Sequence, residues 1–248
     1  RKNMVQALEA SLKRLGTDYI DLYWIHAWDF TTPEDEVMRA LEDMVRAGKI
    51  LTIGISDTPA WVVSRANTIA ELRGWSQFVG LQVEYSLTQR TVERDLVPMA
   101  RQFDMAVLAW APLAGGALTG KYLDQTEAQK RLKPESARLN DKNTATARMV
   151  VEISNEIGCK PSAVALNWLR QQQGTIIPLV GARTTSQIEE NLDCLNWRLN
   201  AEQIQRLNTA SAIELGFPHD FLVNSDAIIF GGMSGEIDNP RKNKLSNF

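Results

Sequence analysis

The sequence predicts an α/β fold in which helices cover a parallel β-sheet, and two observations lead to that prediction. Short apolar runs of strand length alternate along the chain with longer segments whose apolar residues recur every three or four positions. Strands covered by helices on both faces read as such runs, because neither face meets water. Five strand–helix units follow one another, with strands near residues 19–26, 50–56, 78–83, 105–110 and 175–180.

Two architectures fit this order, a doubly wound sheet and a (β/α)8 barrel. No Gly-x-Gly-x-x-Gly motif follows any of the strands, which counts against a dinucleotide-binding doubly wound unit. A barrel needs eight units, whereas the sequence shows five. The chain begins at Arg1 inside a helical pattern with no cap before it, so we expect the first three units to be missing.

The helices carry their own signals. A Thr-Pro pair stands before two of them, which predicts Thr32 and Thr58 as N-caps followed by proline in the first turn. A third helix is predicted without interruption over residues 91–103. In the first helix, Val5, Leu8, Leu12 and Leu15 lie on one face of a 3.6-residue period. The helix predicted at 186–197 has Ile188, Leu192 and Leu195 on one face.

The domain organisation follows from composition along the chain. We expect residues 1–248 to form one domain, whose barrel part runs to about residue 212. Residues 213–248 are rich in Gly and Asn and are predicted to be a surface tail. A Gly- and Lys-rich stretch at 113–142 is predicted to be a loop.

Composition narrows the classes of partner. A net charge of −3 offers no basic field for nucleic acid, and no apolar run approaches the ~20 residues of a membrane span. Two cysteines without a CxxC motif suggest reduced thiols and a cytoplasmic protein. The only histidines are His26 and His219, which counts against a metal-dependent barrel hydrolase, so no metal is expected. A homo-oligomer is compatible with the sequence.

Polar or aromatic residues stand where each predicted strand ends. They are His26, Ser56 with Asp57, Gln82 with Glu84, Trp110, and Gly181 to Arg183. The carboxyl ends of parallel strands form the binding face of such folds, so we expect one composite site there. A lone histidine at a strand end is more often a structural residue and a lone tryptophan more often core, but the aligned set favours a site.

At these positions the chain resembles a known family. The stretches are SLKRLGTDYIDLYWIH (11–26), GISDTPAW (54–61), LQVEYSL (81–87), WAPLAGGALTGKY (110–122) and GARTTSQIEENL (181–192). In order and spacing they resemble the second half of the aldo-keto reductases, of the bacterial type related to the potassium-channel β subunits. The resemblance runs from Arg1 to about Gly232 and implies the (β/α)8 barrel.

The resemblance implies NADPH-dependent reduction of aldehydes or ketones to alcohols. In that family a hydride passes to the carbonyl carbon, a tyrosine protonates the oxygen, an aspartate and a lysine tune the tyrosine, and a histidine orients the carbonyl. His26 matches that histidine, while the other three groups belong to units that these 248 residues lack. We therefore expect this fragment to be inactive alone. A non-catalytic NADPH-binding regulatory subunit of the channel β type is the alternative.

The resemblance assigns each cofactor-binding position of the family to a residue of this sequence. Ser56, Asp57 and Gln82 match the positions that bond the nicotinamide carboxamide, although many members have Asn where this chain has Asp57. Trp110 matches the residue that stacks on the nicotinamide ring. The pyrophosphate loop is matched by Pro112, Leu113, Ala114, Gly115 and Lys121. The 2′-phosphate and adenine site is matched by Gly181, Arg183, Gln187, Glu190 and Asn191. For Glu190 and Asn191 a solvated helix face remains an equal alternative.

The substrate is expected to be a small carbonyl compound that the sequence does not name. Trp28 and Phe30 suggest an apolar pocket, and specificity is expected in residues 27–31, 123–143 and the tail. His219 lies in the tail motif GFPHDF (216–221). It is either a pocket wall or part of a surface turn, and the surface turn is favoured.

Overall fold

The computed structural model describes residues 1–123 and 131–238. Its strands are β1 (Ile20–Ile25), β2 (Ile50–Ser56), β3 (Phe78–Glu84), β4 (Ala106–Trp110) and β5 (Ile176–Pro178). Its first helices are α1 (Lys2–Leu15), α2 (Glu34–Arg46), α3 (Ala60–Arg73), α4 (Leu96–Gln102) and α5 (Asp141–Ile157). They are followed by α6 (Pro161–Arg170), α7 (Thr185–Leu192), α8 (Ala201–Ala210), α9 (His219–Val223) and α10 (Asp226–Phe230).

The five strands belong to one sheet in the order β1-β2-β3-β4-β5. β1 pairs with β2 and β2 with β3 in parallel, with Trp24 opposite Gly54 and Ser56 opposite Gln82. Each strand lies within or close to its predicted range, and a helix follows each one. The predicted parallel α/β fold is therefore confirmed.

The chain divides into two compact units. The first unit comprises Arg1–Val83 and Asp95–Val107, and the second comprises Glu84–Arg94 and the residues from Leu108 onward. The prediction of a single domain is not tested by this division and stays a prediction.

A tryptophan fills one face of the sheet in the first unit. The indole of Trp24 on β1 lies across Gly54 and Gly80, where an added Cβ would come within 2.5 Å and 2.9 Å of its ring atoms. Neither position has room for a larger residue, because the ring occupies that space. On the same strands, Ile53, Ile55 and Leu81 are fully buried. Glycine here is a packing requirement of the sheet.

Helix α1 buries less of its length than its periodicity predicted. Leu8 and Leu12 are buried, whereas Val5 and Leu15 are exposed. The helix is confirmed, and only the middle of its apolar face is covered. A 3.6-residue period tells which face is apolar, but not how much of that face a neighbour covers.

Neither predicted threonine cap forms. Pro33 and Pro59 occupy the N-cap positions themselves, without a side-chain cap. Thr32 Oγ1 donates to Asp29 Oδ2, and Thr58 Oγ1 donates to the Ser56 carbonyl. Each hydroxyl thus holds the loop between strand and helix. The start of α2 is stabilised instead by acidic side chains in its first turn, which complement the helix dipole.

The single helix predicted over 91–103 is two pieces, a 3-10 turn at Thr91–Glu93 and α4. Pro98 is the third residue of α4 and lacks an N–H to donate. Proline is tolerated only within the first turn of a helix, so α4 begins close before it.

Trp168 on α6 is the centre of the core of the second unit. It is fully buried, and its Nε1 donates to Asn208 Oδ1 on α8 at 2.9 Å. The ring of Tyr85 meets it edge-on at 5.6 Å, and the guanidinium of Arg90 lies 5.1 Å from its ring centroid. These contacts bind α6, α8 and the segment after β3 into one packed group.

Arg90 itself has a full set of partners in that group. It donates through two nitrogens to Glu93 and through Nη1 to Ser211 Oγ and the Asn208 carbonyl. Tyr85 OH donates to Glu93 Oε1 at 2.9 Å. Burial, followed by the negative charge of Glu93, raises the pKa of Tyr85 well above its usual value. Tyr85 therefore stays protonated at physiological pH and acts as a structural donor.

At the end of α7, two leucines of the apolar face noted in the sequence are not buried. Leu192 and Leu195 are exposed, whereas Asn191 and Cys194 are buried. The helix ends at Leu192 and continues as a 3-10 segment over Asp193–Asn196, so the assumed periodicity stops there. The polar side of α7 is the covered side.

The two predicted irregular regions contain short elements. Residues 113–142 include 3-10 turns at Ala114–Thr119 and Ala137–Leu139, and the tail includes α9, α10 and a 3-10 turn at Ser234–Glu236. Residues 124–130 and 239–248, which belong to the same predictions, lie outside the described residues.

Cys159 and Cys194 are free thiols. In the described part of the chain, no helix has both the length and the apolar character needed to cross a membrane.

Candidate functional site

The predicted site residues fall into two groups, one in each unit. His26, Trp28, Phe30, Ser56, Asp57 and Gln82 belong to the first unit, and the predicted residues from Trp110 onward belong to the second.

The ends of β2 and β3 are joined by hydrogen bonds in the first unit. Ser56 Oγ donates to the Gln82 carbonyl at 2.9 Å, and the backbone N–H of Asp57 donates to the same oxygen at 3.1 Å. Ser56 is buried and Asp57 is exposed, with a left-handed φ of 43°. That conformation is rare for a residue other than glycine, and such strain concentrates at functional sites.

His26 directly follows β1 at the same edge of the sheet. Ile25 is paired with Ile55 in the register, so His26 and Ser56 are the next residues on neighbouring strands. The side chain of His26 is exposed. Its imidazole is therefore accessible to a ligand, as a residue that contacts substrate must be.

The loop after His26 borders a cavity of about 470 Å³ in the first unit. Trp28 is partly buried and lines this cavity together with Ile25 and Val37. Phe30 is 67% exposed and, within the described residues, is not part of the cavity wall. His26 is not among the residues that line this cavity, and both Trp28 and Phe30 stay predictions as substrate contacts.

A tight turn follows β4 in the second unit. The N–H of Ala114 donates to the Ala111 carbonyl and that of Gly116 to the Leu113 carbonyl, both at 2.8 Å. Ala111 and Ala114 have φ of 51°, and Gly115 and Gly116 have φ of 69° and 95°. Four residues within six positions are thus left-handed, and the backbone N–H groups of such a turn point in directions that a regular helix or strand does not allow. Backbone turns that bind anions share this feature.

The two glycines of this turn make room for other side chains. A Cβ on Gly116 would stand 2.7 Å from Lys121 Cε, and one on Gly115 would stand 2.9 Å from Leu132 Cδ2. The positive φ favours glycine at these positions, whereas the contacting atoms are ends of flexible side chains that could shift. As a result, the Lys121 side chain lies directly over the turn.

The start of α7 presents a further set of donors. Thr184 is the N-cap, and its Oγ1 accepts from the N–H of Gln187. Gln187 Oε1 accepts from the N–H of Arg183 at 2.9 Å, which fixes the turn that carries the exposed Arg183 side chain. The N-terminus of a helix favours an anion, and the guanidinium adds a full positive charge beside it.

Glu190 and Asn191 are not a solvated face. Asn191 is buried, and Glu190 is partly buried and accepts from Ser162 Oγ at 3.1 Å. Both line the cavity of the second unit. A solvated face therefore does not describe Asn191, and the cofactor roles of both residues stay predictions.

These elements enclose a cavity of about 700 Å³ in the second unit. Every residue predicted for this part of the cofactor site lines it except Ala114, which is fully buried beneath the turn. Among the described residues, the wall carries Lys121, Arg131, Arg138 and Arg183 with Glu190 as its one carboxylate, and Arg138 is paired with Glu84. Such an excess of cations favours an anionic ligand.

Sequence reasoning missed Arg131 and Arg138. They lie in the stretch predicted only as a loop, and no pattern in the sequence marks which of its cations face inward. Arg138 Nη2 contacts Glu84 Oε1 at 2.5 Å, which places its side chain at the cavity. Glu84 was noted at a strand end, but a pairing across 54 residues is not visible in the sequence.

Fold and cavity together describe a parallel α/β protein with a cation-lined cavity in its second unit. In the described ranges, no three His, Cys, Asp or Glu side chains are grouped so as to hold a metal ion. A model of the aldo/keto reductase family matches residues 1–212. The chain belongs to the aldo/keto reductase family, and its five-stranded parallel sheet fits the (β/α)8 barrel of that family.

Several curated proteins are similar to the chain. The aryl-alcohol dehydrogenase (NADP(+)) of Phanerodontia chrysosporium is 36% identical over 229 residues, which cover 88% of this chain and 58% of that protein. A norsolorinic acid reductase of Emericella nidulans is 34% identical over 224 residues, which cover 90% of this chain and 57% of that protein. A probable aryl-alcohol dehydrogenase of Saccharomyces cerevisiae is 33% identical over 223 residues, which cover 88% of this chain and 68% of that protein. The chain thus spans less than two thirds of the length of the first two relatives.

Proposed function

We propose that the protein is an NADPH-dependent oxidoreductase that reduces aldehydes or ketones to alcohols. One observation carries the proposal, the cation-lined cavity of the second unit, where the glycine turn after β4 and the N-terminus of α7 both contribute. The name of a relative, aryl-alcohol dehydrogenase (NADP(+)), agrees with a phosphorylated nicotinamide cofactor.

The residues of the cavity fit such a cofactor. The turn at Gly115 and Gly116 is free of Cβ atoms where a diphosphate would approach, and Lys121 lies over it. Arg183 and the first turn of α7 suit the extra 2′-phosphate, with Trp110 in the same wall as an apolar surface for a ring. When bound, NADPH supplies the hydride, and the chain binds and orients it.

His26 is proposed to orient the substrate carbonyl. Its exposed imidazole can donate an N–H to the oxygen on which negative charge develops during reduction. Of the four catalytic groups of the family, the resemblance finds only the histidine within residues 1–248. We therefore propose that these residues supply the cofactor cavity and the histidine, and that turnover requires the aspartate, tyrosine and lysine that are not among them.

An aromatic carbonyl compound is proposed as substrate. Two of the relatives are named for aryl alcohols. Trp28 follows His26 by two residues and is partly buried, and an indole is a surface of the kind that an aromatic group prefers. A cytoplasmic location and a homo-oligomer stay predictions.

We predict that the full-length protein binds NADPH more tightly than NADH, and that Arg183→Ala removes most of the difference. The two cofactors differ only in the 2′-phosphate, and one charge-assisted contact to phosphate contributes about 1.5–3 kcal/mol. The dissociation constant of NADPH should therefore rise about tenfold to a hundredfold in the variant, while that of NADH stays unchanged. Isothermal titration calorimetry measures both.

Arg148→Ala is the matched control, because Arg148 is an exposed arginine on α5 that does not line the cavity in the described residues. It should bind both cofactors as wild type does. Equal affinity of the wild-type protein for NADPH and NADH would refute the proposed phosphate site, as would an Arg183→Ala variant that retains the preference.

A further inference from the structure

Two positively charged side chains converge on the glycine turn that follows β4. A Cβ on Gly115 would stand 3.5 Å from Arg138 Nη1, and a Cβ on Gly116 would stand 2.9 Å from Lys121 Nζ. Both cations also line the cavity of the second unit. The left-handed backbone of the two glycines, with φ of 69° and 95°, is therefore flanked by two charges, an arrangement that suits a diphosphate.

The main chain at Arg138 is fixed on both sides. Its N–H donates to Ser136 Oγ at 3.4 Å, and its carbonyl accepts from Asn143 Nδ2 at 3.2 Å. Asn143 is buried in the first turn of α5, so the second bond ties the 3-10 turn at Ala137–Leu139 to a long helix. These bonds set where the Arg138 side chain begins, but they do not set where its guanidinium ends.

The Glu84 carboxylate sets where the guanidinium ends. Glu84 is the last residue of β3, and its Oε1 accepts from Arg138 Nη2 at 2.5 Å. The side chains of Glu84 and Arg138 are only 23% and 33% exposed, so water and salt screen this pair less than a fully exposed one. A carboxylate at the end of a strand thus holds a side chain that comes from an irregular segment.

The pairing leaves part of the guanidinium available to a ligand. A guanidinium is a planar fork of five N–H donors, and Glu84 engages it through Nη2 while Nη1 lies on the side of Gly115. Among the described residues, Arg138 lines the cavity and Glu84 does not. The carboxylate can therefore hold the guanidinium from behind without facing the ligand itself.

We infer that Glu84 is a positioning residue, which holds Arg138 beside the glycine turn so that its guanidinium binds the cofactor diphosphate together with Lys121. The inference rests on the proposed cofactor cavity. Simple charge neutralisation has the opposite consequence for affinity. A carboxylate that only cancelled the charge of Arg138 would weaken anion binding, so its removal would strengthen binding.

The test measures the dissociation constants of NADPH and NADH in the full-length wild-type protein, Glu84→Ala and Glu84→Gln by isothermal titration calorimetry. We expect Glu84→Ala to raise both constants about tenfold, because a charge-assisted contact to phosphate loses its geometry. The two cofactors share the diphosphate, so both should be affected alike, in contrast to Arg183→Ala. Glu84→Gln keeps an oxygen that can accept from Nη2 and should bind both cofactors more tightly than Glu84→Ala.

A double-mutant cycle shows whether Glu84 acts through Arg138. Arg138→Ala should weaken binding at least as much as Glu84→Ala, and adding Glu84→Ala to it should cause no further loss. Glu152→Ala is the matched control, because Glu152 pairs with Arg206 in the same unit and, within the described ranges, does not line the cavity. It should leave both dissociation constants as in wild type.

Unchanged or lower dissociation constants in Glu84→Ala would overturn the inference. A further loss of affinity in the double variant would do the same, because it would show that Glu84 acts on the fold and not through Arg138.

A measurement without cofactor separates this inference from the proposed function. Rotation of the Arg138 guanidinium, followed by ¹⁵N NMR of its side-chain nitrogens, should be slower in the wild-type protein than in Glu84→Ala. Equal rotation in the two proteins would contradict the role of Glu84 in holding Arg138. A wild-type protein that binds neither NADPH nor NADH would instead contradict the proposed cofactor cavity.

Discussion

Replacing His26 by alanine is expected to lower kcat for aldehyde reduction by about a hundredfold or more, with the affinity for NADPH near the wild-type value. The imidazole is exposed at the carboxyl end of β1, where it can meet a substrate oxygen. The cations proposed to hold the phosphates belong to other elements, from Lys121 onward. Loss of the histidine should therefore affect the chemical step and leave cofactor binding intact.

Steady-state kinetics and NADPH titration of the full-length variant test this expectation. His26→Gln is the informative companion, because its amide keeps an N–H donor and should retain more activity than alanine. Unchanged turnover in His26→Ala would assign the residue a structural role. Lost NADPH affinity with kcat intact would move it from the substrate to the cofactor.

Replacing Trp168 by alanine is expected to lower the free energy of unfolding by about 3–5 kcal/mol. The side chain is fully buried, and its removal leaves a cavity between α6, α8 and the segment after β3. It also leaves Asn208 Oδ1 without its indole donor and the guanidinium of Arg90 without the ring beneath it. The loss of the hydrogen bond to the partly buried Asn208 adds to the loss of apolar burial.

Urea denaturation followed by circular dichroism measures the change. Trp61→Ala is the matched control, since Trp61 is 60% exposed on α3 and its loss should cost less than about 0.5 kcal/mol. Trp168→Phe should fall between the two, because it keeps most of the apolar volume and loses the hydrogen bond. A cost below about 1 kcal/mol for Trp168→Ala would contradict the packing described for this core.

The sheet was predictable because the sequences of buried parallel strands are nearly continuous apolar runs, and the sequence of β4 is apolar throughout. Helix faces were less predictable. The stripe on α1 depends on how far its neighbour extends, and the polar covered side of α7 depends on Ser162 of another helix. Thr32 and Thr58 have the sequence of N-caps, yet their hydroxyls bond to the loop before the helix, a choice that local propensity does not decide.

The candidate site was predictable where it lies at strand ends or matches a family motif. Trp110, Gly115, Lys121 and Arg183 were named from the sequence, and all four line one cavity. Arg138 was not named, because its orientation depends on Glu84, far away in the chain.

Transfer of a labelled hydride tests the central claim most directly. The full-length protein is incubated with benzaldehyde and NADPH in which both hydrogens at C4 of the nicotinamide ring are replaced by deuterium. The account predicts one deuterium on the carbinol carbon of benzyl alcohol for each NADPH oxidised, because the hydride passes directly from cofactor to carbonyl and the second hydrogen arrives on oxygen as a proton. Binding of NADPH without formation of alcohol, or alcohol without deuterium, would contradict the proposed reductase and favour a protein that binds the cofactor without using it.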